Sequence, residues 1–245
     1  RNWDEAMQEF RLADIARHGF RPGNARVLDL GAGCGTFVSL ALGAGHDCWG
    51  IEPEGWKIDL FRERNRLQGR PDGWNHRIVA GVAEQLPFAD QAFDCVTSAQ
   101  VLEHVADPEQ GLREMVRVTR TGGGVHLRCP DYRSTYEPHY RVPWLPLCPR
   151  PLARAYLGLL SRPVRGLDTL RYVTRPRILR WLRAIEKGGR RLVVIDDERV
   201  AFENALRRRR LPEVPGAFSG WRAARYLAAF GRHEIGVRLF IRVLD

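Results

Sequence analysis

The sequence predicts an α/β fold, a doubly wound and mostly parallel sheet covered by helices on both faces. Three observations predict it. Short apolar runs alternate with stretches of helical periodicity through the first half of the chain. The helical stretches are long enough to serve as crossovers between parallel strands. The first apolar run, Val27-Leu28-Asp29-Leu30, ends in an acid and breaks into Gly31-Ala32-Gly33-Cys34-Gly35, with a glycine at every second position. At 245 residues the chain can bury the core of one such domain with insertions.

Taken in order, residues 3–18 place Ala6, Met7, Phe10, Ala13, Ile15 and Ala16 at near-helical spacing, and Gly19 and Pro22 end that helix. Strands follow near 26–30, 47–52, 77–81, 93–99 and 123–129, with helices near 35–45, 55–68 and 108–119. Helical periodicity returns only at 174–185, so residues 131–173, rich in Pro, Trp, Tyr and Arg, form an insertion. Residues 191–196 are apolar and β-branched, and Val237, Leu239, Ile241 and Val243 alternate as a last strand would. The stretch 197–235 between them is far too long for a hairpin. It carries Arg207-Arg208-Arg209-Arg210 and a helix-like run at 221–230, and is a second insertion. The division is thus a core over 1–130, a cap over 131–173, and a completion of the sheet over 174–245.

Charge is split along the chain. Residues 1–130 hold 15 Lys and Arg against 18 Asp and Glu, whereas residues 131–245 hold 24 against 11. That asymmetry calls for an anionic partner of the second half: nucleic acid, a membrane surface or an acidic substrate. In the cap, Arg150, Arg154 and Arg162 fall on one side of a helical projection, and Leu152, Tyr156, Leu159 and Leu160 on another. Either the helix rests on lipid, or its leucines pack on the sheet domain; the second is the simpler expectation. The five cysteines are odd in number and lack C-x-x-C spacing, so they read as small buried hydrophobes of a reducing compartment. The expected location is cytoplasmic, with contact at the inner face of a membrane as the variant. Seven histidines do not cluster with the cysteines, so no metal is expected.

Alternating glycines let a backbone come close to a ligand, and the helix after them offers free N–H groups. A dinucleotide fingerprint would need its third glycine at position 36, which is Thr36. The spacing instead resembles motif I of the class I S-adenosylmethionine-dependent methyltransferases. Further stretches fall in that family's order: Asp47-Cys48-Trp49-Gly50-Ile51-Glu52-Pro53, Gly81-Val82-Ala83-Glu84-Gln85-Leu86-Pro87-Phe88, the run from Phe93 to Val105, and Gly122 to Pro130. Residues 7–130 are most similar to the ubiquinone and menaquinone biosynthesis subgroup. The resemblance implies seven strands with the last antiparallel, S-adenosylmethionine as cofactor and S-adenosylhomocysteine as product.

It also implies roles. Asp29 would orient the methionine amino group or the loop amides, and Gly31, Ala32, Gly33 and Gly35 would admit the methionine and ribose. Glu52, followed by Pro53, would accept both ribose hydroxyls. Val82 and Ala83 would hold adenine by their backbone, with Glu84 as a polar partner; where the family carries an acid before the Ala-Glu pair, this chain has Val82. Ala99 and Gln100 would lie under the cofactor. His104, expected in a helix after the fourth strand, and His139, at the start of the cap, are candidates for a base, each with a structural hydrogen bond as the alternative.

The implied reaction is methyl transfer to a small-molecule or lipid- or glycan-linked acceptor, by in-line displacement at oxygen without a metal. Two alternatives stand beside it: an RNA methyltransferase, and a non-catalytic cofactor-binding scaffold at a membrane surface. Against the nucleic-acid reading, no N-P-P-Y-type motif or Pro-Cys pair follows the fourth strand.

Overall fold

A computed structural model describes residues 5–23, 25–197 and 236–244. Helix α1 (Glu5–Arg17) leads into β1 (Arg26–Leu30), α2 (Thr36–Gly43), β2 (Asp47–Glu52), α3 (Gly55–Leu67), β3 (Ile78–Ala80), β4 (Phe93–Ala99), α4 (Pro108–Val118) and β5 (Thr119–Pro130). Then come the short β6 (Tyr136–Glu137) and β7 (Val142–Pro143), α5 (Arg150–Leu159), α6 (Gly166–Thr169), α7 (Arg175–Lys187), β8 (Leu192–Asp196) and β9 (Gly236–Val243). Strand β5 starts earlier than its apolar run because Thr119 pairs with Phe93 before a bulge resets the register to Gly124 opposite Cys95.

The sheet runs β3-β2-β1-β4-β5-β9-β8. Its first five strands are parallel, and β9 is antiparallel to both β5 and β8. After β1 the chain builds outward to β3 and then returns to the other side of β1 as β4. The carboxyl ends of β1 and β4 therefore flank a crevice, where ligands of open α/β sheets sit.

Each strand feeds two cores because its side chains alternate. Leu28, Leu30, Val96, Val125 and Leu127 meet α4 and α7 through Leu112, Met115, Ile178 and Leu182. Val27, Cys95 and Phe240 lie on the other face with Ile15, Phe37, Val38 and Phe61. A fully buried leucine or phenylalanine contributes about 1.5–3 kcal/mol, so either layer outweighs any single polar contact below. Helix α4 starts sharply: Asp107 Oδ1 accepts from the N–H groups of Glu109 and Gln110 (3.0 and 3.1 Å), and Pro108 fills the first position.

Residues 131–173 leave from the carboxyl end of β5 and pack a core of their own from Tyr132, Val142, Trp144, Ala153, Leu157, Leu167 and Leu170. The excursion is closed at its base, where Tyr132 N–H bonds the Val173 carbonyl at 3.1 Å. Arg171 N–H bonds the Glu103 carbonyl at 2.6 Å, which ties the excursion to the rim where β4 ends. The expected packing of the α5 leucines on the sheet domain is not what forms. Ala153 and Leu157 face inward, whereas Leu152 and Leu159 stay 58% and 84% exposed on the outer side. The small Ala153 lets the helix approach closely along the stripe opposite those leucines. Most of the second insertion, with Arg207–Arg210 and the run at 221–230, lies outside the described residues. Among the described residues, no helix is long and apolar enough to cross a membrane.

Candidate active site

The glycine loop links β1 to α2, and Gly31, Gly33 and Gly35 all have positive φ (69°, 56° and 73°). Two of them also leave no room for a side chain. A Cβ on Gly31 would stand 2.4 Å from Val101 Cγ2, and one on Gly35 would stand 2.3 Å from Phe61 Cδ2. The loop is therefore clamped between the segment after β4 and helix α3. Ala32 is buried, and its N–H bonds the Ile51 carbonyl at 2.9 Å, holding the loop against the end of β2.

Glu52 ends β2 and is buried beneath the loop. Its Oε2 accepts from Gly33 N–H at 2.8 Å, and its Oε1 accepts from Glu54 N–H at 3.2 Å and Lys57 Nζ at 3.3 Å. Pro53 is exposed just beyond it. The exposed Glu54 also accepts from Lys57 Nζ, at 2.6 Å. Burial pulls the Lys57 ammonium down, but its bonds to Glu54 and Glu52 outweigh that and hold it above its ordinary value. Lys57 had no sequence signal beyond its place one turn past Glu52.

Two of the expected ligand residues already have protein partners. Asp29 does not turn to the loop amides: it is buried, and Arg11 Nη2 of α1 donates to its Oδ1 at 2.6 Å. Burial raises its carboxyl above the usual range, with Arg11 pulling the other way. Glu84 faces α4, where its Oε1 accepts from Ala106 and Asp107 N–H at 2.7 and 3.1 Å. That carboxylate fastens the 81–86 loop to the head of α4. Val82 is exposed and Ala83 buried beside it, so of the expected adenine loop Val82 offers the open surface.

Beyond β4, Ala99 is partly buried and Gln100 takes a left-handed backbone, φ 60°, with its N–H on the Arg128 carbonyl at 2.9 Å. A non-glycine residue held in that region at the mouth of a crevice stores strain of order 1–3 kcal/mol, a common mark of functional positions. The next residues do not form the expected helix. His104 N–H closes a turn on the Val101 carbonyl (2.8 Å), and the helix waits for the Asp107-Pro108 start.

His104 and His139 meet edge to face, with ring centroids 5.2 Å apart. The turn after β6 carries His139 there. Glu137 Oε2 accepts from Tyr140 N–H at 2.7 Å, and its Oε1 lies 2.8 Å from His139 Nδ1. On the other side His139 Nε2 stands 3.6 Å from Glu103 Oε1, an ion-pair distance too long for a hydrogen bond. Both carboxylates are buried, and neither Glu103 oxygen has a hydrogen-bond partner among the described residues.

Burial works against charge on His139, yet Glu103 and Glu137 prevail and push its imidazole up to about 9. His104 goes the other way: burial holds it below 6.5 despite the opposing pull of Glu103. One ligand atom each from Glu103, His104 and His139 lies within 4.8 Å of the others. The lack of His–Cys clustering in the sequence thus did not reveal that the fold brings three possible ligand side chains together here. Sequence reasoning found both histidines but missed Glu103 and Glu137; the Glu-x-His spacing at 137–139 was the available signal for the latter.

Residues 28–127 match a family model described as a methyltransferase domain. A demethylmenaquinone methyltransferase of Beutenbergia cavernae is 41% identical over 114 residues, which cover 46% of this chain and 44% of that protein. An uncharacterized protein of Mycobacterium tuberculosis is 31% identical over 131 residues, covering 53% of this chain and 43% of its relative. The chain spans less than half the length of these curated relatives. The solved YcgJ protein of Bacillus subtilis is similar in fold, with a TM-score of 0.53 at 18% identity over 96% of both chains.

Proposed function

We propose that the chain is an S-adenosylmethionine-dependent methyltransferase that methylates an oxygen of a small-molecule acceptor held under the cap, a reading supported by the match of residues 28–127 to the methyltransferase-domain model. The observation that carries this reading is the join of loop and strand: the buried Glu52 carboxylate at the end of β2, bonded to Gly33 N–H of the glycine loop that follows β1. The residues present fit the cofactor. The left-handed turns at Gly31, Gly33 and Gly35 shape the loop after β1, Glu52 is an acceptor at the end of β2, and Gln100 is held in strain at the end of β4. S-adenosylmethionine, when bound, supplies a methyl group activated by its sulfonium.

Gly31, Ala32, Gly33 and Gly35 hold the methionine end, Glu52 the ribose, and Val82 with Ala83 the adenine. His104, kept neutral by burial, takes the proton that an acceptor hydroxyl sheds. His139, kept charged by its two glutamates, donates a hydrogen bond to the acceptor oxygen and orients it. Neighbouring groups whose environments drive their protonation apart divide the acid and base work in this way. The cap's outward Leu152 and Leu159 support a further contact with a lipid surface, from which an apolar acceptor would enter.

Three measurements test this. Titration calorimetry should show the cofactor and its demethylated product binding at one site per chain; no heat with either would overturn the reading. Labelled cofactor offered with lipid, glycan, small-molecule and RNA extracts should label a non-RNA fraction, and label confined to RNA would replace the acceptor class. Cosedimentation with anionic vesicles should weaken when Leu152 and Leu159 are changed to Ser, and unchanged cosedimentation would remove the lipid contact.

A further inference from the structure

A cavity of about 550 Å³ opens between the head of α4, helix α7 and the cap, and nothing above uses it. That is room enough for a small organic molecule. Leu147, Pro149, Val173 and Trp181 give it apolar wall, and Arg150, Arg171 and Arg177 give it three guanidinium groups.

Two of those groups are fixed in place. Arg150 donates to the Leu167 and Leu170 carbonyls at 3.1 and 2.6 Å, and Arg177 donates to the Tyr172 carbonyl at 3.2 Å while lying 5.3 Å from the Trp181 ring. Arg171 is exposed, and among the described residues its guanidinium makes no hydrogen bond or ion pair. The acids of the same wall are already engaged. Asp107 caps α4, and Glu109 pairs with Arg113 at 2.7 Å. Arg150 also lies 3.9 Å from Asp168, so the cavity presents a partly preorganised positive lining beside an apolar one, with Arg171 as its unpaired cation among the described residues.

Its position connects it to the histidine pair. Ala106 and Asp107, two and three residues past His104, form part of the wall, and Arg171 N–H is bonded to the Glu103 carbonyl. The histidine pair and the neighbouring cavity differ in the sign of the groups around them. Around the histidines lie two buried carboxylates, whereas the cavity is lined by arginines. An acceptor with an anionic group is repelled by the first and held by the second, which fixes which of its ends meets the methyl donor.

We propose that this cavity is the subsite for an anionic group of the acceptor, a carboxylate or phosphate on an apolar body, and that Arg171 is the residue that reads it. The proposal rests on the transfer reading above for the word acceptor, and on the cavity alone for anion binding. A planar guanidinium with free donors suits either head group, since both present two oxygens to a fork of N–H groups.

The test uses probes that cannot be methylated at a hydroxyl: naphthoate, naphthyl phosphate and the uncharged methyl naphthoate, in equilibrium dialysis against the full chain. Both anions should bind more tightly than the ester, weaken as salt is raised, and lose about tenfold in affinity in Arg171→Ala, with the ester unaffected. The tighter anion identifies the head group. Ester binding as tight as either acid, or anion affinity unmoved by Arg171→Ala in a variant that melts like the parent, overturns the subsite. Failure of the two readings is separable. Arg171-dependent binding with no methylation of any hydroxylated naphthoate leaves the anion site standing and removes the acceptor role. Methylation that ignores Arg171 removes the subsite and leaves the transfer.

Discussion

At the scale of single residues, the crevice is governed by charges whose partners are already chosen. Glu52 is held by Gly33 N–H and Lys57, so replacing it by Gln removes charge but keeps shape. Glu52→Gln should weaken binding of the demethylated cofactor by about 1.5–3 kcal/mol, the value of a hydrogen bond to a charged group, with the melting temperature little changed. Calorimetry reads this directly, and equal affinity would detach Glu52 from the ribose. The histidine pair gives the rate its pH dependence. His104 works as a base only when neutral, and burial sets it below 6.5, so the rate should be flat through neutrality and fall in acid. His139 works as a cation, and it loses its proton as pH rises past about 9, so the rate should fall again there. His139→Gln should remove the alkaline limb, and His104→Gln the acid limb together with about a 10²–10⁴-fold loss of kcat. A kcat profile in which either variant keeps both limbs would undo the assignment. The pairing itself was beyond the sequence. His104 and His139 could each be singled out by motif and loop composition, but Glu103 and Glu137 become partners of His139 only once the cap folds back on the β4 rim.

At the scale of elements, helix α1 is bound to the sheet by more than its apolar stripe. Arg11 reaches Asp29 and also Thr97 Oγ1 at 3.1 Å, so one guanidinium ties α1 to β1 and β4 beneath the glycine loop. Breaking a buried pair from one side leaves a charge without compensation, at a cost of about 3–5 kcal/mol. Arg11→Met should destabilise by that amount in urea unfolding, and the double change with Asp29→Asn should recover most of it. A loss below about 1 kcal/mol in the single variant would show that the pair does not pin the helix. Helix α5 illustrates the limit of periodicity. A helical projection shows that 150–162 is amphipathic, but two opposite stripes carry leucine, and only the tertiary contact decides that Ala153 and Leu157 turn inward. Leu157→Ala should therefore cost about 2–5 kcal/mol, whereas Leu159→Ser should fall within about 0.5 kcal/mol of the parent.

At the scale of the whole molecule, the strands and helices of the core were legible because burial on both faces of a parallel sheet writes itself into the sequence as apolar runs separated by one helix each. The polar ties through that core were not, since a buried histidine and a surface one look alike in a sequence. His126 of β5 is such a tie: fully buried, with Nε2 2.9 Å from Asp14 Oδ2 of α1 and Nδ1 3.1 Å from Thr97 Oγ1. Burial lowers its pKa below 6.5 against the pull of Asp14, and burial likewise lowers His46 and His104. Each of these binds a proton more readily unfolded than folded, so the stability they give is full above 6.5 and is lost as pH falls below it. Asp14 is opposed by burial, yet its bond to His126 carries it below 3.8, so its share is lost last, as pH falls past 3.8. His139 has the opposite sign. Held protonated in the folded chain up to about 9, it stabilises fully below 6.5 and loses that contribution as pH rises from 6.5 through about 9. The whole chain should therefore be most stable near pH 6.5, falling more steeply toward acid, where three histidines act together, than toward alkali, where one does. Urea midpoints measured from about pH 9 to about pH 4 should trace that asymmetric dome. His126→Gln should flatten the acid side, and His139→Gln should lessen the fall toward alkali, leaving the part due to the buried thiols, which burial holds above 9.0. A midpoint that keeps rising from pH 6.5 to about 9 in the parent would mean that His139 is not clamped by Glu103 and Glu137.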